Sequence, residues 1–138
     1  MRILGIDYGV ARIGVAVSDT MGMFAGPVCT ISERGMARQL EKVSEEVKKI
    51  CPDEIVVGLP RNMDGTEGKS AELARTFAQR LQSLCGIEIK FIDERLTTVS
   101  ANRTLNELDV RGSGKRRKIV DTVAAVILLQ AYLDKKRL

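Results

Sequence analysis

The sequence predicts an α/β fold, a mixed five-stranded sheet flanked by helices in the order β-β-β-α-β-α-β-α-α. Three observations predict it. The first 31 residues hold three strand-like runs joined by short turns, the pattern of an antiparallel meander. From residue 34 onward, segments of helical period alternate with short apolar runs. The chain has 138 residues, 44% hydrophobic and 29% charged, which suits one globular domain spanning 1–138 with a real core.

Residues 2–7 are a short apolar run capped by Asp7, and Tyr8-Gly9-Val10-Ala11 reads as a turn. Residues 12–19 alternate, with Ile13, Val15 and Val17 on one face, and residues 24–31 form the third strand. The period then changes. Met36, Leu40, Val43, Val47 and Ile50 mark one face of a helix over 34–50, which Pro52 ends. Residues 54–58 are continuously apolar between Glu54 and Gly58, as in a central buried strand. A loop over 59–66 carries the breakers Pro60 and Asp64-Gly65.

Leu73, Phe77, Leu81 and Leu84 stripe a second helix over 67–84, with Gly86 as its stop. Residues 87–92 make the fifth strand. Thr97 is placed to cap a helix reaching about residue 108, with Ala101, Leu105 and Leu108 inward. The last helix is expected from about residue 117 to 135.

Composition narrows the chemistry. The chain has no histidine, so the commonest general base and the commonest zinc ligand are missing. Cys29, Cys51 and Cys85 form no CxxC pair and read as buried, reduced thiols of a cytoplasmic protein. Met1-Arg2 leads directly into the first strand, so no signal peptide is expected. No apolar run reaches the ~18–20 residues of a membrane span, so no membrane partner is expected. The net charge of +4 favours a polyanionic partner.

Three acids stand at the ends of apolar elements: Asp7 after the first strand, Glu94 after the fifth, and Asp121 at the opening of the last helix. Such carboxylates are costly to bury unless paired, hydrogen-bonded or bound to metal. If they converge, they make an oxygen-only site suited to Mg²⁺ or Mn²⁺. Each has a plainer reading. Asp7 and Gly9 can simply shape a hairpin turn. Asp93 and Glu94 can be a solvated strand end, although adjacent residues face opposite ways and only one of them need face a site. Asp121 can be an N-cap, without the Glu or Gln that a capping box would place at 124. Otherwise it shares a face with Ala124, Ala125 and Leu128, and the two alanines allow close approach to the sheet.

The cations are the candidate nucleic-acid contacts. Lys115, Arg116, Arg117 and Lys118, preceded by Arg111 and a Gly112-Ser113-Gly114 hinge, form a cluster beside Asp121 suited to phosphates, or a solvated charge run. Arg12 in the hairpin, Arg61 with Asn62 in the loop after the fourth strand, and Arg95 beside Glu94 are further candidates. Arg95 can instead pair with a neighbouring acid, and that loop can be a plain connection capped by Thr66. Aromatic residues are 4% of the chain, so backbone and shape are better candidates for recognition than base stacking.

Taken together, the motifs resemble a family. Asp7-Tyr8-Gly9, residues 12–19, Gly58-Leu59-Pro60, Met63-Asp64-Gly65-Thr66, Asp93-Glu94-Arg95-Leu96-Thr97-Thr98 and Asp121-Thr122-Val123-Ala124-Ala125 occur in order over essentially the whole chain. The chain is similar to the YqgF family, described as pre-16S ribosomal RNA nucleases and as Holliday-junction-resolvase-like proteins. The resemblance implies a ribonuclease-H-like fold, with the first and fourth strands side by side at its centre. It also implies that Asp7, Glu94 and Asp121 are catalytic and hold metal. The chain departs from the family at Ala11, where a lysine often accompanies the hairpin arginine.

The expected activity is metal-assisted hydrolysis of a phosphodiester in structured RNA. The resemblance points to 5′ maturation of pre-16S ribosomal RNA, with a ribosomal precursor particle as a possible partner. Two-ion hydrolysis, with ions roughly 3.5–4 Å apart, suits a site lacking histidine. Rival readings are a resolvase of branched DNA, which would need a homodimer rather than a monomer, a nucleotide-binding phosphotransferase, and a non-catalytic RNA-binding factor in ribosome assembly.

Overall fold

The computed structural model describes residues 1–97 and 114–137, with side chains described over 1–97 and 121–137. Five strands form one sheet: β1 (Ile3–Asp7), β2 (Arg12–Ser18), β3 (Ala25–Ser32), β4 (Glu54–Leu59) and β5 (Ile89–Asp93). Among the described residues, three α-helices accompany them: α1 (Met36–Ile50), α2 (Lys69–Cys85) and α3 (Gly114–Arg137). The sheet order is β3-β2-β1-β4-β5. β1, β2 and β3 pair antiparallel, whereas β4 is parallel to both β1 and β5. The meander and the mixed sheet are as the sequence predicts, and β1 and β4 are neighbours at its centre.

Alternation along the strands divides the core between the two faces. Leu4, Ile6, Ile13, Val15, Ile55 and Val57 point to one face, where α1 and α2 supply Leu40, Val43, Phe77 and Leu81. Ile3, Ala16, Val56 and Ile92 point to the other, against Ala124, Ala125, Leu128, Leu129 and Leu133 of α3. With both faces covered, β1 and β4 are buried along their whole length, which accounts for their unbroken apolar runs.

α3 lies very close to the sheet, and glycines opposite it are the reason. A Cβ on Gly5 would stand 2.8 Å from Leu129 Cβ, and one on Gly14 would stand 3.3 Å from Ala125 Cβ. The small residues that permit this approach are therefore on both surfaces, not on the helix alone.

Several boundaries and environments differ from the sequence reading. α3 starts at Gly114, so Asp121 lies inside the helix and is not its N-cap. Lysine and arginine are good helix formers and carry the helix back through the basic cluster. Thr66 does not cap α2; its amide and hydroxyl both donate to Asp64 Oδ1, and Gly68 takes the N-cap position. Cys51 is exposed, contrary to the expectation of buried thiols. It occupies the left-handed C-cap of α1 at φ 53°, past the last inward-facing turn. Cys29 and Cys85 are half-buried, and all three are free thiols.

Glu94–Leu96 forms a short 3-10 turn, which Thr97 closes. The helix expected to run from the Thr97 cap to about residue 108, together with Arg111, Gly112 and Ser113, lies outside the described residues, whereas Gly114 of the expected hinge is the first residue of α3. Among the described residues, no helix is long and apolar enough to cross a membrane.

Candidate active site

The carboxyl ends of the central strands carry the acids. Asp7 is the last residue of β1 and pairs with Gly14 across the first hairpin. Directly opposed residues of an antiparallel pair project to the same face. At Gly14 that face belongs to α3, because a Cβ there would stand 2.0 Å from the main-chain oxygen of Asp121. Asp7 and Asp121 are thereby directed to one place, and both line a cavity of about 250 Å³ with Tyr8, Gly9, Arg12 and Pro60.

Glu94 reaches the same face from the other side of β1. Ile6 pairs with Val57, so Gly58 continues the ladder alongside Asp7. A Cβ on Gly58 would stand 2.8 Å from Glu94 Oε1 and 2.7 Å from Leu128 Cδ1 of α3. The two glycines therefore flank Asp7, one against each of the other acids. Asp7 and Glu94 are 3% and 2% exposed.

The neighbouring acid Asp93 faces away. Its carboxylate accepts the Arg95 amide at 2.9 Å and the Arg95 guanidinium at 2.7 Å, which caps the 3-10 turn and turns Glu94 inward. The guanidinium holds the Asp93 carboxyl below its ordinary range. Burial, and then the Asp93 charge, pushes Glu94 up to about 7.

Asp121 is engaged differently. Arg12 Nε donates to its Oδ2 at 2.7 Å. Among the described residues, no three acid or thiol side chains are arranged as a group that could hold a metal ion. The structure thus brings Asp7 and Asp121 into one cavity and sets Glu94 on the same face. It leaves Asp121 bonded to arginine rather than gathered with the other two. The donor chemistry fits a hard divalent ion, since every candidate ligand atom is a carboxylate oxygen.

The candidate nucleic-acid residues whose side chains are described, Arg12, Arg61 and Arg95, are all in ion pairs. Arg12 holds Asp121, Arg61 lies 3.5 Å from Glu67, and Arg95 is on Asp93. Arg95 also reaches the Met63 carbonyl at 3.5 Å. Lys115, Arg116, Arg117 and Lys118 lie in the first turns of α3, and their side chains are outside the described residues.

Sequence reasoning missed Gln39. It is buried on α1, and its Nε2 donates to the carbonyls of Gly9, Val10 and Glu33 at 2.9, 3.0 and 3.0 Å. Those bonds pin the turn that forms one wall of the cavity. The signal was present: position 39 falls on the inward stripe with Met36 and Val43, where an amide must find partners.

Comparison with known proteins bears on family and fold. A family model described as "RuvX: Holliday junction resolvase" matches residues 1–135. A protein of Moorella thermoacetica named "Putative pre-16S rRNA nuclease" is 47% identical over 98% of this chain and 96% of its own length. One of the same name from Clostridium botulinum strain Hall is 49% identical over 97% of each. Among solved structures, Thermus thermophilus RuvC in complex with a Holliday junction substrate superposes with a TM-score of 0.63 at 12% identity, covering 99% of this chain and 96% of that one. The fowlpox virus Holliday junction resolvase gives 0.56 at 12% identity over 100% of both. The fold is ribonuclease-H-like, as the motifs imply.

Proposed function

This chain belongs to the RuvX family, and we propose that it is a divalent-metal-dependent nuclease of structured RNA, acting in 5′ maturation of pre-16S ribosomal RNA. The observation that carries the reading is the placement of Asp7 and Asp121 in one cavity, with Glu94 on the same sheet face across Gly58. The full-length relatives named for pre-16S rRNA support the choice of substrate.

Asp7, Glu94 and Asp121 would hold Mg²⁺ or Mn²⁺. Bound there, the metal supplies Lewis-acid polarisation of the scissile phosphate and activation of water. The chain's own residues do the rest. Asp7 is held by the end of β1 and the Gln39-pinned turn, so its carboxylate is presented from a rigid frame. Arg12 is positioned to orient a backbone phosphate at the cavity. Arg61 and Arg95 extend that cationic edge, and Lys115-Arg116-Arg117-Lys118 precede Asp121 by one to two helical turns. The ribosomal precursor particle is the proposed partner, and the cytoplasm the proposed location.

Incubation of wild-type and Asp7→Asn protein with pre-16S RNA and Mg²⁺ tests the reading. Asparagine keeps the shape but removes a charged ligand, so cleavage is abolished while the fold and RNA affinity persist. Cleavage by Asp7→Asn at the wild-type rate would refute the site.

A second reading, cleavage of four-way DNA junctions, is favoured by the family description and by the superposition on RuvC. It requires a homodimer with two sites. Sedimentation with and without junction DNA, paired with a cleavage assay, distinguishes it from a monomer that cuts only RNA.

A further inference from the structure

The bond between Arg12 and Asp121 joins the first hairpin to α3 across 109 residues of sequence. Both side chains are largely sheltered, 30% and 17% exposed. An exposed pair would be too weak to govern anything, but a sheltered one holds its geometry. Asp7 lines the same cavity. A guanidinium fork matches carboxylate and phosphate oxygens equally well. A backbone phosphate entering this cavity therefore competes with Asp121 for Arg12 Nε, the donor that the carboxylate engages.

We infer that Arg12 is a latch on the metal site. Without nucleic acid it holds the Asp121 carboxylate out of metal ligation. A backbone phosphate draws the guanidinium away and releases Asp121 to join Asp7 and Glu94. This rests on the metal-dependent reading above and deepens it, because it makes completion of the ligand set depend on substrate arrival. By linkage, whatever factor the phosphate adds to metal affinity, the metal adds to phosphate affinity.

The test measures Mn²⁺ binding in the absence of nucleic acid, from the spin-resonance signal of free Mn²⁺. Wild type is compared with Arg12→Gln and with Arg61→Gln. The last removes an equal charge from the same end of the sheet but from a residue paired with Glu67. Arg12→Gln is expected to bind Mn²⁺ about tenfold tighter than wild type, the fold-change worth one charge-assisted hydrogen bond. Arg61→Gln is expected to bind like wild type. Equal affinity in Arg12→Gln and wild type overturns the latch, as does an equal gain in Arg61→Gln, which would mean charge alone.

A second readout uses wild-type protein only. A short RNA duplex added without metal is expected to shift the Arg12 Nε–H resonance, and an unmoved resonance on an RNA-saturated protein overturns the latch. If none of the three proteins binds Mn²⁺, with or without the duplex, the metal-dependent reading itself fails. That outcome is distinct from metal binding that ignores Arg12.

Discussion

The main-chain oxygen of Asp121 lies against Gly14 so closely that a Cβ on the glycine would stand 2.0 Å from it. Backbone cannot yield as a flexible side chain can. Gly14→Ala should push α3 off the sheet and carry Asp121 away from Asp7. The expected cost is ~1–3 kcal/mol, the usual range for an overpacked core, read from urea denaturation, together with loss of cleavage. Gly26→Ala is the control, because a Cβ there meets nothing within 4 Å.

Gln39→Leu should release the hairpin turn. Three carbonyls lose their donor, and leucine cannot replace it. A loss of ~1–3 kcal/mol is expected for buried groups left without partners. Amide exchange over residues 8–12 should accelerate more than exchange in β4. Uniform acceleration throughout the sheet would mean that Gln39 supports only the core.

Burial holds the folded-state Glu94 carboxyl near 7, above its ordinary 4.5. The folded protein therefore binds more protons between those values than the unfolded chain does. Stability from this group is fully present below about pH 4.5 and is lost as pH rises through about 7. In metal-free protein the loss should amount to at most about 3 kcal/mol. Glu94→Gln should flatten that part of the curve, measured as urea midpoints from pH 5 to pH 8 in chelator (roughly the window spanned by the two values). A slope unchanged by the substitution would count against the raised carboxyl.

Tyr132 donates its hydroxyl to the buried carboxylate of Glu54 at the start of β4, where Lys136 lies 3.4 Å away. Burial, followed by this hydrogen bond and the Glu54 charge, pushes the phenol upward. Tyr132→Phe leaves the carboxylate with the lysine alone. A cost of roughly 1.5–3 kcal/mol is expected, the worth of a hydrogen bond to a charged group. Cleavage should be unaffected at temperatures where the variant remains folded, because this cluster is at the end of the sheet opposite Asp7.

Much of the architecture was readable from residue patterns. Val43 and Val47 against Phe77 and Leu81 follow directly from helical spacing, and the apolar runs at 2–7 and 54–58 announce strands covered on both faces. Asp7 and Glu94 stood out because a carboxylate closing an apolar run needs a reason to be there. The beginning of α3 was misplaced, since the sequence offers no strong cap and charged residues continue a helix as readily as they precede one. Gln39 was passed over because its neighbours on the stripe are apolar, although its inward position was implied by the same spacing.

What the sequence alone determined is which residues turn inward and which acids stand at strand and helix ends, because those properties repeat at the period of the local backbone. Tertiary structure alone decided that Arg12 meets Asp121, that Tyr132 meets Glu54, and that glycines flank Asp7 on both sides. Those partners are 109 and 78 residues apart in the two bonded pairs. Their meeting depends on how far α3 slides along the sheet before small side chains bring it to rest, a quantity that no local pattern encodes.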